Sequence, residues 1–413
     1  MNELKVETDP AEVGLDTERL RRIDAGLARY VDEGKLAGWL VTVSRHGKLA
    51  HLAAYGQRDR EAGLPVEADT VWRIYSMTKP LTSVAAMMLY EEGAFELTDP
   101  VSKFIPSFAG VRVYSGGSDL APVTIPATEP VRIWHLLTHT AGLSYGFHRA
   151  HPVDAMYRAA GFDIGQRVPV DLAAACDAWA GMPLLFQPGA EWTYSVATDV
   201  LGRVVEVASG QRLDDFFAER ILGPLGMTDT TFYARPDQLP RLSALYARGP
   251  GGAAVRADGL DEAKEPPAML SGGGGLISTA ADYNRFLLML LDLPGSPAGS
   301  LDAVRLLSPR TVAFMGSNHL PGGVDLEAYG RRLFAEVPFL GVGFGLGFAV
   351  VIDPVPGKVV GSPGEISWGG AASTAFWVDQ AEGLTVSLFT QLIPSSAHPL
   401  RSRLRQLVYQ AIV

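Results

Sequence analysis

The strand-forming segments of this 413-residue chain lie near its two ends, and the long middle part shows few of them. Residues 38–44 and 49–55 are two apolar runs around a short glycine-containing link, which is the pattern of a β-hairpin. Strand patterns return only at 344–352, 375–379 and 384–390. Segments from both ends therefore have to meet in one sheet, and the middle of the chain is predicted to be an inserted, mostly helical region.

Helical patterns surround these strands. Residues 17–31 carry apolar side chains at helical spacing. The run from Pro80 to Gly93 has proline near its start and glycine at its end, as helices of about four turns do. A last helix is expected over 399–412. The sequence thus predicts the α/β class: a sandwich domain formed by 1–75 and 270–413, and a mostly helical domain over 76–269 that begins with the helix after Ser76.

The charge balance excludes one large class of function. Against 45 acidic residues there are 35 lysines and arginines, which gives a net charge of −10. Nucleic-acid binding needs clustered cations to displace the counterions of phosphate, and no basic run is present. The sequence therefore predicts no nucleic-acid partner.

The single cysteine, Cys176, rules out an intramolecular disulfide framework and a metal-thiolate cluster, and its helix-like surroundings are typical of a buried apolar residue. The first residues lack the basic start and apolar core of a secretory signal. No segment reaches the ~18 uninterrupted apolar residues that a membrane span needs. We therefore expect a soluble, cytoplasmic protein without a membrane partner.

The strongest candidate for chemistry is the tetrapeptide Ser76-Met77-Thr78-Lys79. Residues three apart on a helix share a face, so the Ser76 hydroxyl and the Lys79 amine can come within hydrogen-bond reach. A serine hydroxyl is a poor nucleophile until a neighbouring group takes its proton. The tetrapeptide alone could be coincidental, but it stands where a strand-like run gives way to a long helix. This position favours a nucleophilic serine.

A rival nucleophile is Ser144, in the Gly-x-Ser-x-Gly pattern Gly142–Gly146. That motif works as a sharp turn from a strand into a helix. Here the preceding residues have helical spacing, and the following ones do not open a clean helix. We therefore interpret Gly142 as a helix C-terminus and Ser144 as a bystander.

His135 and His139 stand four residues apart, as zinc-binding histidines on a helix do. The metalloprotease form of that motif also needs a glutamate directly after the first histidine, and Leu136 occupies that place. The sequence thus predicts no metal site and no cofactor.

Two further segments are ambiguous alone. Tyr194 precedes a helical pattern and would ordinarily be a packed aromatic, but beside Lys79 it could act as a general base. The run from Trp368 to Ala371 contains two glycines before a strand. Such a run allows close approach to the backbone, whose N–H groups could serve an oxyanion hole.

Three segments, in this order, resemble the motifs of the serine β-lactamase and penicillin-binding-protein superfamily, and most of all those of the class C β-lactamase-related esterases called family VIII. They are Ser76–Lys79, Tyr194–Val196 and Trp368–Gly370. Supporting similarity extends from about Gly14 to the C-terminal helix. The resemblance implies a mainly antiparallel sheet flanked by helices, an inserted helical domain, and a site between them.

The same resemblance implies roles for individual residues. Ser76 would be the nucleophile, Lys79 would assist its deprotonation, and Tyr194 would be general base and then proton donor to the leaving group. The backbone N–H groups of Ser76 and Ala371 would form the oxyanion hole. The implied substrate-binding positions are Trp368, Gly369, Gly370 and Val196.

Two departures from the superfamily's motifs bear on the substrate. Val196 replaces an asparagine, and Trp368 replaces a lysine that would pair with a substrate carboxylate. Both changes make the site more apolar, so we expect a small neutral ester with a hydrophobic acyl group, cleaved through an acyl-enzyme. Residues 109–130 and 145–182 are expected to border the pocket.

Other functions stay open at this stage. They are a β-lactamase or D-alanyl-D-alanine peptidase, an acyltransferase using the same acyl-enzyme, and a catalytically idle homologue. The sequence also leaves a homodimer open without locating an interface.

Overall fold

The centre of the molecule is an eight-stranded sheet in which every neighbouring pair of strands is antiparallel. It is seen in a computed structural model that describes residues 4–164, 167–257, 263–291, 304–331 and 339–413. The strands are β1 (Gly38–Arg45), β2 (Lys48–Asp59), β3 (Leu64–Pro65), β4 (Trp72–Arg73), β5 (Arg112–Gly117), β6 (Pro122–Pro126), β7 (Tyr246–Arg248), β8 (Ala254–Arg256), β9 (Ile277–Ser278), β10 (Val342–Phe344), β11 (Ala349–Val351), β12 (Ile366–Gly369), β13 (Ala375–Asp379), β14 (Leu384–Phe389) and β15 (Leu392–Ile393).

Helices cover both faces of this sheet and build the middle of the chain. They are α1 (Thr17–Asp32), α2 (Thr78–Glu91), α3 (Ile133–Leu137), α4 (Pro152–Ala159), α5 (Leu172–Ala180), α6 (Ala197–Ser209), α7 (Leu213–Phe217), α8 (Gly223–Leu225), α9 (Ala280–Leu291), α10 (Pro309–Met315), α11 (Leu326–Tyr329), α12 (Pro354–Gly357) and α13 (Leu400–Tyr409). No helix among the described residues is long and apolar enough to cross a membrane.

The two ends of the chain meet inside the sheet, as the sequence predicts. The strand order is β10-β11-β12-β13-β14-β1-β2-β3, so the N-terminal hairpin β1–β2 lies directly beside the C-terminal strand β14. Leu40 of β1 is paired with Phe389 of β14. The α/β class and the antiparallel sheet flanked by helices are therefore confirmed.

Alternation along the strands creates two apolar cores. Trp39, Val41 and Val43 of β1 point to one face, where they pack with residues of α1 and α13. Leu40, between them, points to the other face and joins a larger core with α2, α6 and α9. Because successive strand residues face opposite ways, a strand buried on both sides reads as a continuous apolar run.

The sequence prediction is wrong where it treats 344–352 as one strand. The structure divides this segment between β10 and β11, which form a tight hairpin with Phe344 opposite Ala349. Gly347, in the link, has a φ of 106°, a conformation that few residues other than glycine adopt. A continuous apolar run therefore conceals a reversal of the chain.

The middle of the chain also holds a hairpin that the sequence does not predict. β5 and β6 pair antiparallel, with Val113 opposite Ile125. The proposed domain boundaries, at 75/76 and 269/270, stay a prediction.

A short two-stranded ladder holds the segment before Ser76 beside the segment after the glycine run 272–275. β4, which lies just before Ser76, pairs with β9, and the Ile74 N–H donates to the Leu276 carbonyl over 3.1 Å. The glycine run 272–275 is thereby held beside the start of α2.

Candidate active site

Ser76 lies in the single turn of 3-10 helix Tyr75–Met77, directly before α2. Tyr75 has a φ of 43°, which is unusual for a residue other than glycine and marks a strained entry to the turn. The Ser76 side chain is half-buried at the wall of a cavity of about 530 Å³. A ligand in that cavity can therefore reach its hydroxyl.

Lys79, one turn later, is 1% exposed and points back toward Ser76. Its Nζ lies 3.4 Å from the Ser76 Oγ, 3.0 Å from the Tyr145 hydroxyl and 2.7 Å from the Gly273 carbonyl oxygen. An ammonium group has three N–H donors, and these three oxygens match them. The geometry therefore suits a charged Lys79 in the resting enzyme.

Tyr194 completes the cluster from the segment before α6. Lys79 Nζ lies 4.5 Å from the centre of the Tyr194 ring, within the range of a cation–π contact. The backbone of this segment is fixed from the other side, because the His148 ring donates to the Tyr194 carbonyl over 2.6 Å. The structure thus brings together the three residues for which the resemblance implies catalytic roles.

Tyr145 belongs to the same cluster, and the sequence reasoning missed it. Besides its bond to Lys79, its ring stacks on Phe147 with centroids 4.7 Å apart. Burial, reinforced by the charge of Asp199, holds the pKa of this phenol well above its ordinary value of 10, so the hydroxyl stays neutral. In the sequence, Tyr145 stands inside the motif Gly142–Gly146. That motif points to its serine, Ser144, as a candidate nucleophile and gives no separate indication for the tyrosine.

Ser144 is separated from the cavity. It is fully buried, and its hydroxyl donates to the Asp154 carboxylate over 2.6 Å. Its carbonyl accepts the Val196 N–H over 3.2 Å and so holds the segment that carries Tyr194. The interpretation of Gly142 as a helix C-terminus is wrong, since α3 already ends at Leu137. Gly142 instead forms a tight turn at φ 82°, where a Cβ would lie 2.6 Å from the Phe186 carbonyl oxygen.

The two histidines of the zinc-like pattern do not share a helix. His135 lies in α3, whereas His139 lies beyond it with a left-handed φ of 56°. Burial lowers the pKa of His135 to about 4, and burial together with the charge of Lys79 lowers that of His139. In the described parts of the chain, no group of three or more His, Cys, Asp or Glu side chains could hold a metal ion.

The third motif lies at the end of β12, against the Ser76 turn. The Trp368 indole N–H donates to the Tyr194 hydroxyl over 3.4 Å. A Cβ on Gly370 would collide with the carbonyl of Ile74, and one on Gly369 would collide with the Arg401 guanidinium. These glycines therefore allow protein groups, and not a ligand alone, to approach the backbone closely. Ala371 and Val196 also line the cavity.

Aromatic and aliphatic side chains dominate the cavity wall, among them Phe147, Phe162, Phe232, Met269, Leu276 and Trp368. The expectation for 145–182 holds in part, because residues from Tyr145 to Trp179 contribute. The expectation for 109–130 is wrong. That stretch, fully described, contributes no lining residue, because β5 and β6 take it into a separate hairpin.

Four arginines also reach the cavity, and each already bonds a protein oxygen. Arg73 donates to the Ser243 carbonyl, Arg167 pairs with Glu265, and Arg405 pairs with Glu365. Arg401 donates to the carbonyls of Gly370 and Thr374, both over 3.0 Å.

Comparison with known proteins identifies the family to which this chain belongs. The sequence profile of the Beta-lactamase family matches residues 23–410, nearly the whole chain. The chain belongs to the beta-lactamase family. Within this family it is 37% identical to Protein Rv1367c of Mycobacterium tuberculosis, over 90% of this chain and 89% of that protein.

Two further beta-lactamase-fold relatives carry informative names. Esterase EstB of Burkholderia gladioli is 32% identical over 97% of this chain and 98% of its own. The solved structure of "EstCE1, a hydrolase with promiscuous acyltransferase activity" superposes with a TM-score of 0.78 at 28% identity, covering 95% of this chain and 99% of that chain. The resemblance to the family VIII esterase branch is thereby confirmed.

Proposed function

We propose that this protein is a serine hydrolase that cleaves carboxylic esters with short-to-medium acyl groups through an acyl-enzyme on Ser76. The observation that carries the proposal is the half-buried Ser76 hydroxyl, 3.4 Å from a buried lysine, at the wall of an apolar cavity. A substrate in this cavity meets a nucleophile, a proton-transfer group and a largely water-excluding wall together.

In the proposed reaction, the Ser76 oxygen attacks the ester carbonyl carbon while its proton passes to the Tyr194 phenolate, whose ring lies beside the Lys79 ammonium. The backbone N–H groups of Ser76 and Ala371 stabilise the oxyanion; losing one such donor typically costs ~100- to 1000-fold in rate. The C–O bond then breaks and Tyr194 returns the proton to the departing alcohol. Water repeats the sequence on the acyl-enzyme and releases the carboxylic acid.

The charge pattern supports a neutral ester over a substrate with a free carboxylate. Trp368 occupies the place of a motif lysine, and the guanidinium groups of the four cavity arginines bond carbonyls or carboxylates of the protein. Each of these cations would have to share or give up a contact with the protein in order to pair with a substrate carboxylate. The names of EstB and EstCE1 agree with an ester substrate.

Acyl transfer to an alcohol is a second candidate, favoured by the acyltransferase activity named for EstCE1. It uses the same acyl-enzyme and differs only in the acceptor. Transfer of the acyl group from a p-nitrophenyl ester to added alcohols, measured beside hydrolysis, separates the two. A β-lactamase or peptidase activity is the weaker alternative.

A fluorophosphonate probe followed by peptide mapping tests the nucleophile. We expect one adduct, on Ser76, and loss of p-nitrophenyl butyrate hydrolysis in step with labelling. An adduct on Ser144 would overturn both the assignment and the mechanism. Faster turnover of the cephalosporin nitrocefin than of simple esters would overturn the proposed substrate class.

The remaining parts of the proposal concern the whole molecule. We propose a cytoplasmic location, a sandwich domain over 1–75 and 270–413 with a helical domain over 76–269, and no partner beyond the small ester substrate and, at most, a second copy. The negative net charge and the strand distribution along the chain support these statements.

A further inference from the structure

Asp199 is a buried carboxylate beside the nucleophile that the reaction above does not use. It lies in the first turn of α6, five residues after Tyr194, and is 3% exposed. One of its oxygens, Oδ1, accepts the Ser271 hydroxyl over 2.5 Å and the Gly273 N–H over 3.0 Å. Two donors on one oxygen favour the ionised form of a carboxyl group.

Gly273 connects this carboxylate to Lys79. Its N–H is held by Asp199, and its carbonyl oxygen accepts the Lys79 ammonium over 2.7 Å, the shortest of the three lysine contacts. A Cβ on Gly273 would collide with the Asp199 carboxylate, so residue 273 has to be glycine for this approach. The orientation of Lys79 therefore depends on a backbone atom that Asp199 holds in place.

The charges around Lys79 also indicate that Asp199 acts on this lysine. The titratable groups that face it are Tyr145, Tyr194, His139 and Asp199. Burial keeps the Tyr145 phenol neutral by raising its pKa and keeps the His139 imidazole neutral by lowering its pKa. Burial also raises the pKa of Asp199, while Lys79, Ser271 and Gly273 oppose that rise. Apart from Tyr194, the proposed proton acceptor, Asp199 is the one of these groups that can place a negative charge near Lys79.

We propose that Asp199 is a positioning residue for catalysis: through Gly273 it aims the Lys79 ammonium at Ser76, and its charge keeps that ammonium protonated. The inference rests on the proposed Ser76 reaction and assigns a role to a residue outside the three motifs. Asp199 acts through Lys79 and does not contact the reacting carbonyl. Without the carboxylate, a desolvated ammonium loses its proton at lower pH.

The test uses the rate of fluorophosphonate labelling of Ser76, which does not depend on the natural ester. In Asp199→Asn the amide oxygen can still accept the hydrogen bonds from Ser271 and Gly273, while the charge is lost. A neutral amide oxygen holds the Gly273 N–H less strongly than a carboxylate does, so the Gly273 carbonyl and the Lys79 ammonium shift. We expect labelling on the order of 10- to 100-fold slower, because small displacements of a catalytic group cost that much. The high-pH limb of the rate profile should move to lower pH, because the charges of Asp199 and Lys79 interact.

Two variants provide the comparison. Glu206→Gln makes the same acid-to-amide change on α6, away from the cavity, and should leave both rate and pH profile unchanged. Asp199→Glu keeps the charge but not the geometry, so its rate should fall while its high-pH limb stays at the wild-type position. Thermal unfolding checks that each variant is folded.

Failure of the proposed function and failure of the proposed role of Asp199 give different results. If wild-type Ser76 is not labelled, the proposed function fails. If wild type is labelled and folded Asp199→Asn reacts at the wild-type rate with the wild-type profile, the role of Asp199 fails alone. If Asp199→Asn does not fold, the labelling rate of Gly273→Ala is measured instead, because the Cβ of the alanine would displace the Asp199 carboxylate. Labelling at least ~10-fold slower supports the proposal, and wild-type labelling overturns it.

Discussion

Ser76 and Ser144 both match short motifs of serine nucleophiles, but their surroundings in the structure are opposite. Ser76 is half-buried at a cavity wall, and its hydroxyl lies near a lysine amine. Ser144 is fully buried, and its hydroxyl donates to the Asp154 carboxylate. A nucleophile needs access to substrate and a group that accepts its proton during attack. Asp154 could accept a proton, but no substrate can reach Ser144, so access decides between the two.

The two serines nevertheless belong to one assembly. Ser144 holds the backbone before α6, and the next residue, Tyr145, bonds Lys79. The Gly142–Gly146 segment therefore supports the reacting cluster from behind. We therefore propose that this motif matters for catalysis although its serine takes no part in the chemistry.

The largest expected effect comes from replacing each serine with alanine. Ser76→Ala should lower kcat/KM for p-nitrophenyl butyrate by at least ~10⁴-fold, because the covalent route is lost. Ser144→Ala should leave kcat/KM of the folded enzyme nearly unchanged and lower stability by about 1–2 kcal/mol, since one buried hydrogen bond disappears. Equal losses of activity in the two variants would break the comparison.

A smaller effect is expected from replacing two tyrosines, one that contacts Lys79 beside Ser76 and one that contacts the backbone of Ser144. Tyr145→Phe removes a hydroxyl that bonds the Lys79 ammonium, and a bond to a charged group is worth about 1.5–3 kcal/mol. We expect kcat to fall roughly tenfold or more, with little change in KM. Tyr157→Phe is the matched control, because its hydroxyl faces the Ser144 backbone N–H. It should lower the melting temperature and spare kcat; the reverse pattern would contradict the assignment.

The last effect concerns the pH dependence of stability and leaves the two serines themselves unchanged. Burial lowers the pKa of His135 from 6.5 to about 4, so the folded protein disfavours the protonated ring. The stability tied to this group is complete above pH 6.5 and is lost as pH falls toward 4, by about 3 kcal/mol at most. Urea unfolding at pH 7.5 and 5.0 measures the loss. His135→Gln, which cannot titrate, should lose less stability than wild type between these values; an equal loss would assign the acid sensitivity to other groups.

Local patterns in the sequence predicted those parts of the fold that neighbouring residues determine. The β1–β2 hairpin and the helix after Ser76 each have a continuous apolar pattern with punctuation by glycine or proline. The reversal between β10 and β11 was missed because its flanking residues are apolar throughout. The β5–β6 hairpin was missed because its strands are short, largely exposed and interrupted by glycine and proline.

In the candidate site, too, the residues with a local sequence pattern were predictable and the long-range contacts were not. Ser76, Lys79 and Tyr194 could be selected because their spacing, and the resemblance it carries, is visible along the chain. The contacts of Tyr145 and Gly273 with Lys79 could not be predicted, because these residues are 66 and 194 positions away from it in the chain. Only the folded backbone decides which distant oxygen meets a given amine.

The pairing of β1 with β14 also has a consequence for how the protein is made. Thr42 and Ser387, hydrogen-bonded across these strands, are 345 residues apart in the chain. At ~5–20 residues per second, a ribosome needs roughly 20 to 70 s to add that stretch. Throughout this interval β1, buried along its whole length in the finished protein, has no partner on one side. Such an open apolar edge is a template for association with other chains. We therefore expect the yield of active enzyme in the cell to depend on how well the first hairpin is shielded until the last strand of its sheet emerges.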